Sequence, residues 1–306
     1  MCRIYRVYSV QKMITIELMG GLGNQLFQIF AILGHALEYD LRFGFLDMPI
    51  RAGHRKIVYW DDFLRSLKQY VQKPPRKVQV TQLYREPYFH YAKIPRDNGS
   101  PLYYLHGYFQ SYKYFDKHRE KILNMISLQE HQNGMMDIIS TEDRMRLLNK
   151  KTISLHFRLG DYKQLQQHHP ILEVEYYARS LQQFCILQNM EPQAEFSKGS
   201  TNEWTIVYFH EENDYAAVSR SIGILRERFP CFEFRRMEYV REDWQQMVLM
   251  SMCKHHIIAN SSFSWFGAYM AEETEDHQVY YPHVWFGPAQ GEKKMDDLCP
   301  EKWIKV

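Results

Sequence analysis

A strand, a glycine turn and a helix are encoded in the stretch Ile14-Thr-Ile-Glu-Leu-Met-Gly-Gly-Leu-Gly-Asn-Gln-Leu-Phe27. The first six residues are mostly apolar or β-branched, which predicts a strand. The glycines then interrupt the pattern, and from residue 26 to 37 apolar side chains recur at helical spacing. A second short strand at 42–47 would complete a β-α-β unit, and such a unit implies a parallel sheet with a right-handed crossover.

The same alternation continues along the chain. Further strands are predicted at 102–105, 152–157, 204–209, 232–235 and 255–259. Helices are predicted at 113–126, 135–149, 175–187, 214–229, 244–254 and 264–272, while the proline-containing segment 51–100 is interpreted as loops and short helices. Alternating strands and helices are typical of doubly wound α/β folds. We therefore expect two Rossmann-like lobes, 13–150 and 151–306, with parallel sheets facing across a cleft.

Length and composition agree with a folded two-lobed protein. The chain has 306 residues, of which 45% are hydrophobic and 24% charged, and this length exceeds what one core usually supports. The formal charge of +2 argues against a nucleic-acid partner. No apolar run approaches the roughly 20 residues that span a bilayer, and residues 1–12 lack a signal-peptide core. We expect a soluble, cytoplasmic protein, or a domain trimmed from a longer or membrane-anchored parent.

The five cysteines are scattered, odd in number and without a CxxC pair. This pattern suggests neither a zinc site nor a disulfide framework, so we expect free thiols and no bound metal.

The glycine turn invites comparison with a dinucleotide-binding site. The fingerprint needs a small residue three positions after Gly23, where this chain has Leu26. An oxidoreductase is therefore disfavoured. A helix N-terminus after Gly21 and Gly23 would still favour an anion, with Asn24 as a hydrogen-bonding group. The alternative is that these glycines only satisfy the turn geometry.

A second motif is His156-Phe-Arg-Leu-Gly-Asp-Tyr162, at the end of a predicted strand. Alternate residues of a strand share a face, so His156 and Arg158 should point the same way. The guanidinium of Arg158 suits phosphate oxygens and could stabilise a departing diphosphate. The alternative is a structural ion pair between Arg158 and Asp161.

Two more strand ends carry polar residues. Asn260, Ser261, Ser262 and Ser264 precede or begin a predicted helix, where they could cap it or bind phosphate and ribose. Glu211 and Glu212 follow strand 204–209; they could accept hydrogen bonds from a guanine edge, or simply form an acidic helix start.

Five segments together resemble the alpha-1,2-fucosyltransferase family. They are residues 20–28 (GGLGNQLFQ), 107–115 (GYFQSYKYF), 156–162 (HFRLGDY), 175–177 (EYY) and 260–265 (NSSFSW), in the family's order. Three positions depart from the family pattern. Leu159 stands where a second arginine is usual, Glu211 and Glu212 replace two aspartates within 209–212, and Phe266 replaces a tryptophan.

The resemblance implies a GT-B-like fold with an N-terminal acceptor-side lobe and a C-terminal donor lobe. It also implies transfer of fucose from GDP-fucose to a glycan hydroxyl, with inversion, an alpha-1,2 linkage and neither metal nor cofactor. Arg158 would hold the diphosphate, with His156 and Asp161 shaping its surroundings. The remaining residues of the implied nucleotide-sugar site are Ser261, Ser262 and Ser264 in the pocket and Asn24 on the other lobe.

Asp161 is the first candidate for a base that takes the acceptor's proton. His168 and His169 are the next candidates. Two other functions stay open: transfer from a different nucleotide sugar, and a non-catalytic glycan-binding protein that kept the fold.

Overall fold

The computed structural model describes residues 12–47, 58–73, 82–97, 99–194, 204–237, 240 and 242–306. These residues form two compact units. Unit 1 contains the described residues up to Ile126 together with Lys294–Cys299, and unit 2 contains Ser127–Lys293 and Pro300–Val306.

Unit 1 contains strands β1 (Met13–Ile16), β2 (Phe45–Leu46), β3 (Val71–Gln72), β4 (Gln82–Arg85) and β5 (Leu102–His106), and helices α1 (Leu22–Tyr39) and α2 (Arg119–Met125). Its main sheet is parallel, in the order β1-β5-β4. Strands β2 and β3 pair with each other, also in parallel. Helix α1 is buried along most of its length, so its apolar residues form the core against the sheet.

The turn between β1 and α1 depends on glycine. Gly20 has φ of +76°, which an L side chain rarely adopts. The side chain of Gln28 accepts a hydrogen bond from the Met19 nitrogen at 2.7 Å and donates to its carbonyl at 3.3 Å. These two hydrogen bonds fix the backbone of the segment that leads into α1.

Unit 2 contains strands β6 (Thr152–His156), β7 (Trp204–Phe209), β8 (Phe232–Arg236), β9 (His255–Ile257), β10 (Val279–Tyr281) and β11 (Ile304–Lys305). Its helices are α3 (Leu128–Ile138), α4 (Thr141–Leu148), α5 (Val174–Leu187), α6 (Tyr215–Arg228), α7 (Asp243–Ser251) and α8 (Ser262–Tyr269). The six strands form one parallel sheet in the order β11-β10-β9-β6-β7-β8. Every residue of β6 is buried, as expected for a central strand covered on both faces. The predicted α/β fold with parallel sheets is confirmed.

Three local predictions were wrong. Segment 51–100 was expected to lack strands, but β3 and β4 lie in it, and β4 extends the main sheet. The helix expected at 113–126 is only α2, preceded by two short 3-10 turns at Tyr112–Tyr114 and Asp116–His118. The helix expected at 135–149 is divided between α3 and α4, because Ile139 is extended and the Ser140 side chain caps α4.

The two compact units divide after Ile126, whereas the predicted lobes divide after residue 150. Helices α3 and α4 belong to unit 2 and pack against the rest of it: Gln132 of α3 donates to the Ser251 hydroxyl at 3.0 Å. Arg146 of α4 donates to both carboxylate oxygens of Glu233, at 2.8 and 2.9 Å. The chain also returns once to unit 1, through Lys294–Cys299.

Cys185, Cys231 and Cys253 are buried free thiols, Cys299 is also buried, and Cys2 lies outside the described residues. Within the described part of the chain, none of the helices combines the length and apolar composition needed to cross a bilayer.

Candidate active site

The order of strands in unit 2 defines a switch point beside β6. From β6 the chain proceeds to β7 and β8 on one side, then crosses to β9, β10 and β11 on the other. Ligands of open parallel sheets bind outside the carboxyl ends of the strands at such a point. Arg158 follows β6 and Asn260 follows β9, so two of the predicted motifs lie at this edge.

The Arg158 guanidinium bridges two carboxylates. It forms ion pairs with Asp161 and Glu211, and its side chain is 18% exposed. Its central carbon also lies 5.1 Å from the centroid of the Tyr162 ring. The predicted ion pair with Asp161 is therefore present, together with a second pair that the sequence analysis missed. A guanidinium has five N–H donors, so two single contacts leave capacity for an oxyanion.

The turn after Arg158 is held from several sides. The Gly160 nitrogen donates to Asp214 at 2.8 Å, and Lys163 donates to the same carboxylate at 2.6 Å. Gly160 has φ of +31°, and a Cβ there would lie 2.9 to 3.0 Å from the carboxylate of Glu211. The Tyr162 hydroxyl donates to the Asn260 carbonyl at 3.0 Å. These contacts fix the turn that carries Asp161 and join the loops after β6 and β9.

His156 is buried beneath this edge. Burial lowers the pKa of His156 to about 3, and the nearby Arg158 guanidinium and His210 contribute in the same direction. Its ring lies 5.4 Å from that of Phe263, and the Tyr177 hydroxyl donates to its carbonyl at 3.1 Å. His156 is therefore a neutral, packed side chain at physiological pH.

Three of the four polar residues at the start of α8 form hydrogen bonds within the protein. Asn260 donates to the carbonyls of Pro170 and Trp285, at 2.9 and 3.2 Å. Ser261 is the N-cap and accepts from the Phe263 nitrogen at 3.3 Å, while the buried Ser264 hydroxyl accepts from the Ala259 nitrogen at 3.2 Å.

Ser262 is half-buried in the first turn of α8. The Asn260 Oδ1 atom is buried and has no partner among the described residues.

The two glutamates after β7 have different partners. Glu211 pairs with Arg158, whereas Glu212 is 80% exposed and pairs with Arg236 on β8. Of these two glutamates, it is Glu211 that contacts the Arg158 guanidinium.

The other two candidate bases, His168 and His169, have different surroundings. His168 is exposed, while the His169 ring stacks on Tyr162 with the centroids 4.8 Å apart. Burial lowers the pKa of His169.

The glycine-turn residues belong to unit 1. Gly21 is the N-cap of α1, and Gly23 is buried in its first turn. Asn24 accepts a hydrogen bond from Gln110 at 2.7 Å. Two of the family-like segments, 20–28 and 107–115, are thus joined by a direct contact.

The carboxyl edge of the unit 1 sheet contains titratable residues that the sequence analysis missed. Glu17 follows β1, Glu86 follows β4, and His106 ends β5. Polar residues at the end of an apolar strand were the signal that found Arg158, and the same signal was present for His106.

No cluster of His, Cys, Asp or Glu suited to hold a metal ion occurs among the residues that the structure describes.

Comparisons with known proteins give two bacterial relatives, and no protein-family profile matches the chain. The O-antigen biosynthesis glycosyltransferase WbnK of Escherichia coli is 29% identical over 218 residues, which are 70% of this chain and 63% of that protein. The chain thus matches less than two thirds of WbnK. The alpha-1,2-colitosyltransferase of Escherichia coli is 26% identical over 316 aligned positions, which cover 96% of this chain and 99% of that protein.

Two solved structures are similar at low scores. A mutant of Arabidopsis thaliana FUT1 in complex with GDP has a TM-score of 0.44 and 12% identity, covering 94% of this chain and 75% of that chain. A family 9 glycosyl transferase of Veillonella parvula has a TM-score of 0.41 and 10% identity, covering 97% and 86%. The resemblance to the alpha-1,2-fucosyltransferase family, predicted from the five sequence segments, is confirmed by the two bacterial relatives, a glycosyltransferase and an alpha-1,2-colitosyltransferase.

Proposed function

We propose that this protein is an inverting glycosyltransferase that moves fucose from GDP-fucose to a hydroxyl of a glycan acceptor, in an alpha-1,2 linkage. The observation that carries the proposal is the partly exposed Arg158 guanidinium at the switch point of the unit 2 sheet. A cation at that position suits the diphosphate of a nucleotide sugar. The names of the two bacterial relatives support sugar transfer.

Arg158 would act on the leaving group. As the bond from the anomeric carbon to the diphosphate breaks, negative charge grows on the phosphate oxygens, and a fixed guanidinium stabilises it. Asp161 and Glu211 hold the guanidinium in one orientation before the donor binds. Such pre-organisation lowers the cost of arranging the charge during the reaction.

The nucleotide would bind along the same edge. Ser261, Ser262 and the N-terminal N–H groups of α8 offer contacts to phosphate or ribose. Glu211 or Glu212 would accept hydrogen bonds from the guanine edge, with Asn260 and Ser264 holding the loop beneath. Gly21, Gly23 and Asn24, at the start of α1 in unit 1, would contribute further contacts to the nucleotide sugar, and unit 1 as a whole would bind the glycan acceptor. No metal is required in this scheme, so transfer should persist in the presence of EDTA.

A second donor sugar is favoured by one relative. The alpha-1,2-colitosyltransferase matches nearly the full chain, and colitose is fucose without the 3-hydroxyl. GDP-colitose is therefore the alternative donor, with the same leaving group and the same role for Arg158.

Donor specificity can be tested by incubating the purified protein with GDP-fucose, GDP-colitose, UDP-galactose and ADP-glucose in the presence of a panel of oligosaccharide acceptors that differ in their terminal sugar. We expect GDP release and a new glycosidic bond with a GDP-sugar only, and NMR of the product gives its linkage and anomeric configuration. Transfer from UDP- or ADP-sugars alone would contradict the GDP assignment. Binding of glycan without turnover of any donor would favour a non-catalytic glycan-binding protein.

The role of Arg158 is tested by Arg158→Ala. We expect kcat to fall by about 100- to 1,000-fold, as for loss of one transition-state donor, and GDP binding to weaken in a thermal-shift titration. The matched control is Arg228→Ala, which removes another arginine of unit 2 that pairs with a glutamate, Glu175, at 2.6 Å. The control should transfer at the wild-type rate, and so would Arg158→Ala if its ion pairs were only structural.

A further inference from the structure

A glutamate–arginine pair lies at the carboxyl ends of β7 and β8, within unit 2. Glu212 is in the turn after β7, Arg236 is the last residue of β8, and the Arg236 guanidinium donates to the Glu212 carboxylate. The two side chains are 80% and 20% exposed, respectively. The pair therefore presents a hydrogen-bond acceptor beside hydrogen-bond donors at the surface of unit 2.

The Arg236 guanidinium is also held by an aromatic ring. Its central carbon lies over the ring of Tyr215, 5.2 Å from the centroid, and Tyr215 is the first residue of α6. Tyr215 is 53% exposed, so much of its surface is not packed in the core. An exposed ion pair contributes little to stability. These contacts therefore matter chiefly because they orient the guanidinium N–H groups that Glu212 leaves unused.

The pair lies on the same sheet edge as Arg158. Strands β6, β7 and β8 are consecutive neighbours in the sheet, and parallel strands are about 4.8 Å apart, so β6 and β8 are separated by about 10 Å. Glu211, which contacts Arg158, is followed directly by Glu212. A nucleoside diphosphate with its phosphates at Arg158 has its base one ribose away. The ends of β7 and β8 lie in one of the two directions along this edge that the base can take.

The other direction along the edge leads to α8. There the first turn of the helix offers backbone N–H groups, which suit phosphate rather than a base. Asn260, which follows β9, already donates its amide to the carbonyls of Pro170 and Trp285. The β8 side is therefore the better place for the base.

The donor and acceptor groups of this pair match one nucleobase. Guanine presents an acceptor, O6, next to two donors, N1–H and the N2 amino group. A guanidinium beside a carboxylate has the complementary order. Adenine places an amino group where guanine has O6, and uracil places an oxygen where guanine has the N2 amino group. Either base would bring like groups together.

We propose that Glu212 and Arg236 read the guanine base of the donor, with Tyr215 as the positioning residue for Arg236. This inference rests on the proposed function. The Glu212 carboxylate accepts from N1–H and the N2 amino group, and the Arg236 guanidinium donates to O6.

Glu211 is the less suitable reader of the base. Its carboxylate is paired with Arg158 and lies against Gly160, where an added Cβ would be 2.9 to 3.0 Å from it. Glu211 thus remains with the guanidinium assigned to the diphosphate, and the choice left open between the two glutamates falls on Glu212.

The first test measures the affinity of the full-length wild-type protein for four nucleotides by isothermal titration calorimetry. They are GDP, ADP, UDP and inosine diphosphate (IDP), which is GDP without the N2 amino group. We expect IDP to bind about 10-fold more weakly than GDP, as for loss of one hydrogen bond to a charged group. ADP and UDP should bind at least about 100-fold more weakly.

The second test separates the roles of the two side chains. Glu212→Gln should weaken GDP binding by about 10- to 100-fold and reduce the preference for GDP over IDP to within about twofold. Arg236→Ala should weaken GDP and IDP equally, by about 10-fold, since both bases have O6, and should leave ADP unchanged. The matched controls are Glu272→Gln, an exposed glutamate paired with Lys150, and Arg228→Ala. Both should bind GDP as the wild type does.

The role of Tyr215 is tested by two substitutions. Tyr215→Ala should weaken GDP binding by about 2- to 5-fold, because the guanidinium loses its ring. Tyr215→Phe keeps the ring and should restore wild-type affinity, which loss of the hydroxyl alone would not change.

Two results would overturn the assignment while leaving the proposed transferase intact. One is equal affinity of the wild type for GDP and IDP, a measurement that needs no variant to fold. The other is a Glu212→Gln protein that prefers GDP over IDP as strongly as the wild type. If the wild-type protein binds neither GDP nor a GDP-sugar, the proposed function itself fails.

Discussion

The surroundings of Arg158 are compatible with both roles considered for it, phosphate binding and a structural ion pair. The sequence left open whether it binds phosphate or pairs with Asp161, and the structure pairs it with both Asp161 and Glu211. Ion pairs near the surface contribute little to stability, so these contacts matter more for the orientation of the guanidinium than for the fold. The N–H donors of the guanidinium that the two carboxylates leave unused are available to the proposed diphosphate. The orientation of those donors depends on both acidic residues.

Glu86 makes stability depend on pH. Burial raises the pKa of Glu86 to about 7, although hydrogen bonds from Phe109 and Tyr108 act in the opposite direction. A carboxyl whose pKa is higher in the folded state binds its proton more tightly there. The contribution of Glu86 to stability is complete below about pH 4.5, its ordinary pKa, and is lost as the pH rises through about 7.

We therefore predict that Glu86→Gln is more stable than wild type above neutral pH. One pKa unit corresponds to about 1.4 kcal/mol, so the shift predicts a difference on the order of 3 kcal/mol at pH 8 that disappears by about pH 4. Thermal unfolding of both proteins from pH 4 to 8 measures the difference. A difference in melting temperature between the two proteins that stays constant from pH 4 to 8 would contradict the assignment. The comparison cancels the contribution of every other titrating group, because both proteins contain them.

The break between α3 and α4 shows how a cap overrides periodicity. The apolar residues from 135 to 149 fit the spacing of one helix. Instead, α3 ends at Ile138 and the Ser140 side chain caps the next helix, α4. The Ser140 hydroxyl accepts from the Asp143 nitrogen at 3.1 Å and donates to the Asp143 carboxylate at 2.7 Å. The sequence Ser-Thr-Glu-Asp is an N-terminal signature, so this boundary could have been found from the sequence.

We predict that Ser140→Ala destabilises the protein by about 1 to 2 kcal/mol, since an N-cap is lost. In a unit of this size that lowers the melting temperature by roughly 2 to 4 °C per kcal/mol. Ser127→Ala is the matched control, because Ser127 precedes α3 without forming a side-chain cap. Equal melting temperatures for the two variants would show that the Ser140 hydroxyl does not stabilise α4.

The path of the chain determines which pieces can fold. Asp143 of α4 is fully buried and accepts from Arg235 of β8 at 3.0 Å, and Arg146 pairs with Glu233 of the same strand. Removing α3 and α4 would leave two charged residues of β8 without these partners and uncover part of α7, whose Val248 is fully buried. Unpaired charges and exposed apolar surface both disfavour a folded product.

We predict that a fragment of residues 127–306 is soluble and unfolds cooperatively, whereas a fragment of residues 151–306 aggregates or melts at a much lower temperature. The two fragments share the segment Lys294–Cys299, so the comparison isolates α3 and α4. Size-exclusion chromatography and thermal unfolding provide the measurements. Equal behaviour would place the boundary nearer to residue 150, as the sequence suggested.

Most elements of unit 2 were predictable because their signals are local. The predicted bounds of β7 match the observed ones, those of α5 differ by one residue at its start, and those of α6 differ by one residue at each end. Strand β4 was missed because its residues alternate between half-buried and exposed positions, which is a weak pattern in a proline-containing segment. Its strand character depends on pairing with β5, a partner distant in sequence.

Residue order alone determined the alternation of strands and helices, the glycine turn at 20–24 and the polar strand ends that carry Arg158 and Asn260. These follow from propensity and periodicity, which act over a few neighbouring residues. Folding in three dimensions determined that Arg158 meets Glu211 as well as Asp161, that α3 and α4 pack on unit 2, and that Glu17 lies against His106. Each of these contacts depends on strand order and helix packing, which bring together side chains that local patterns cannot relate.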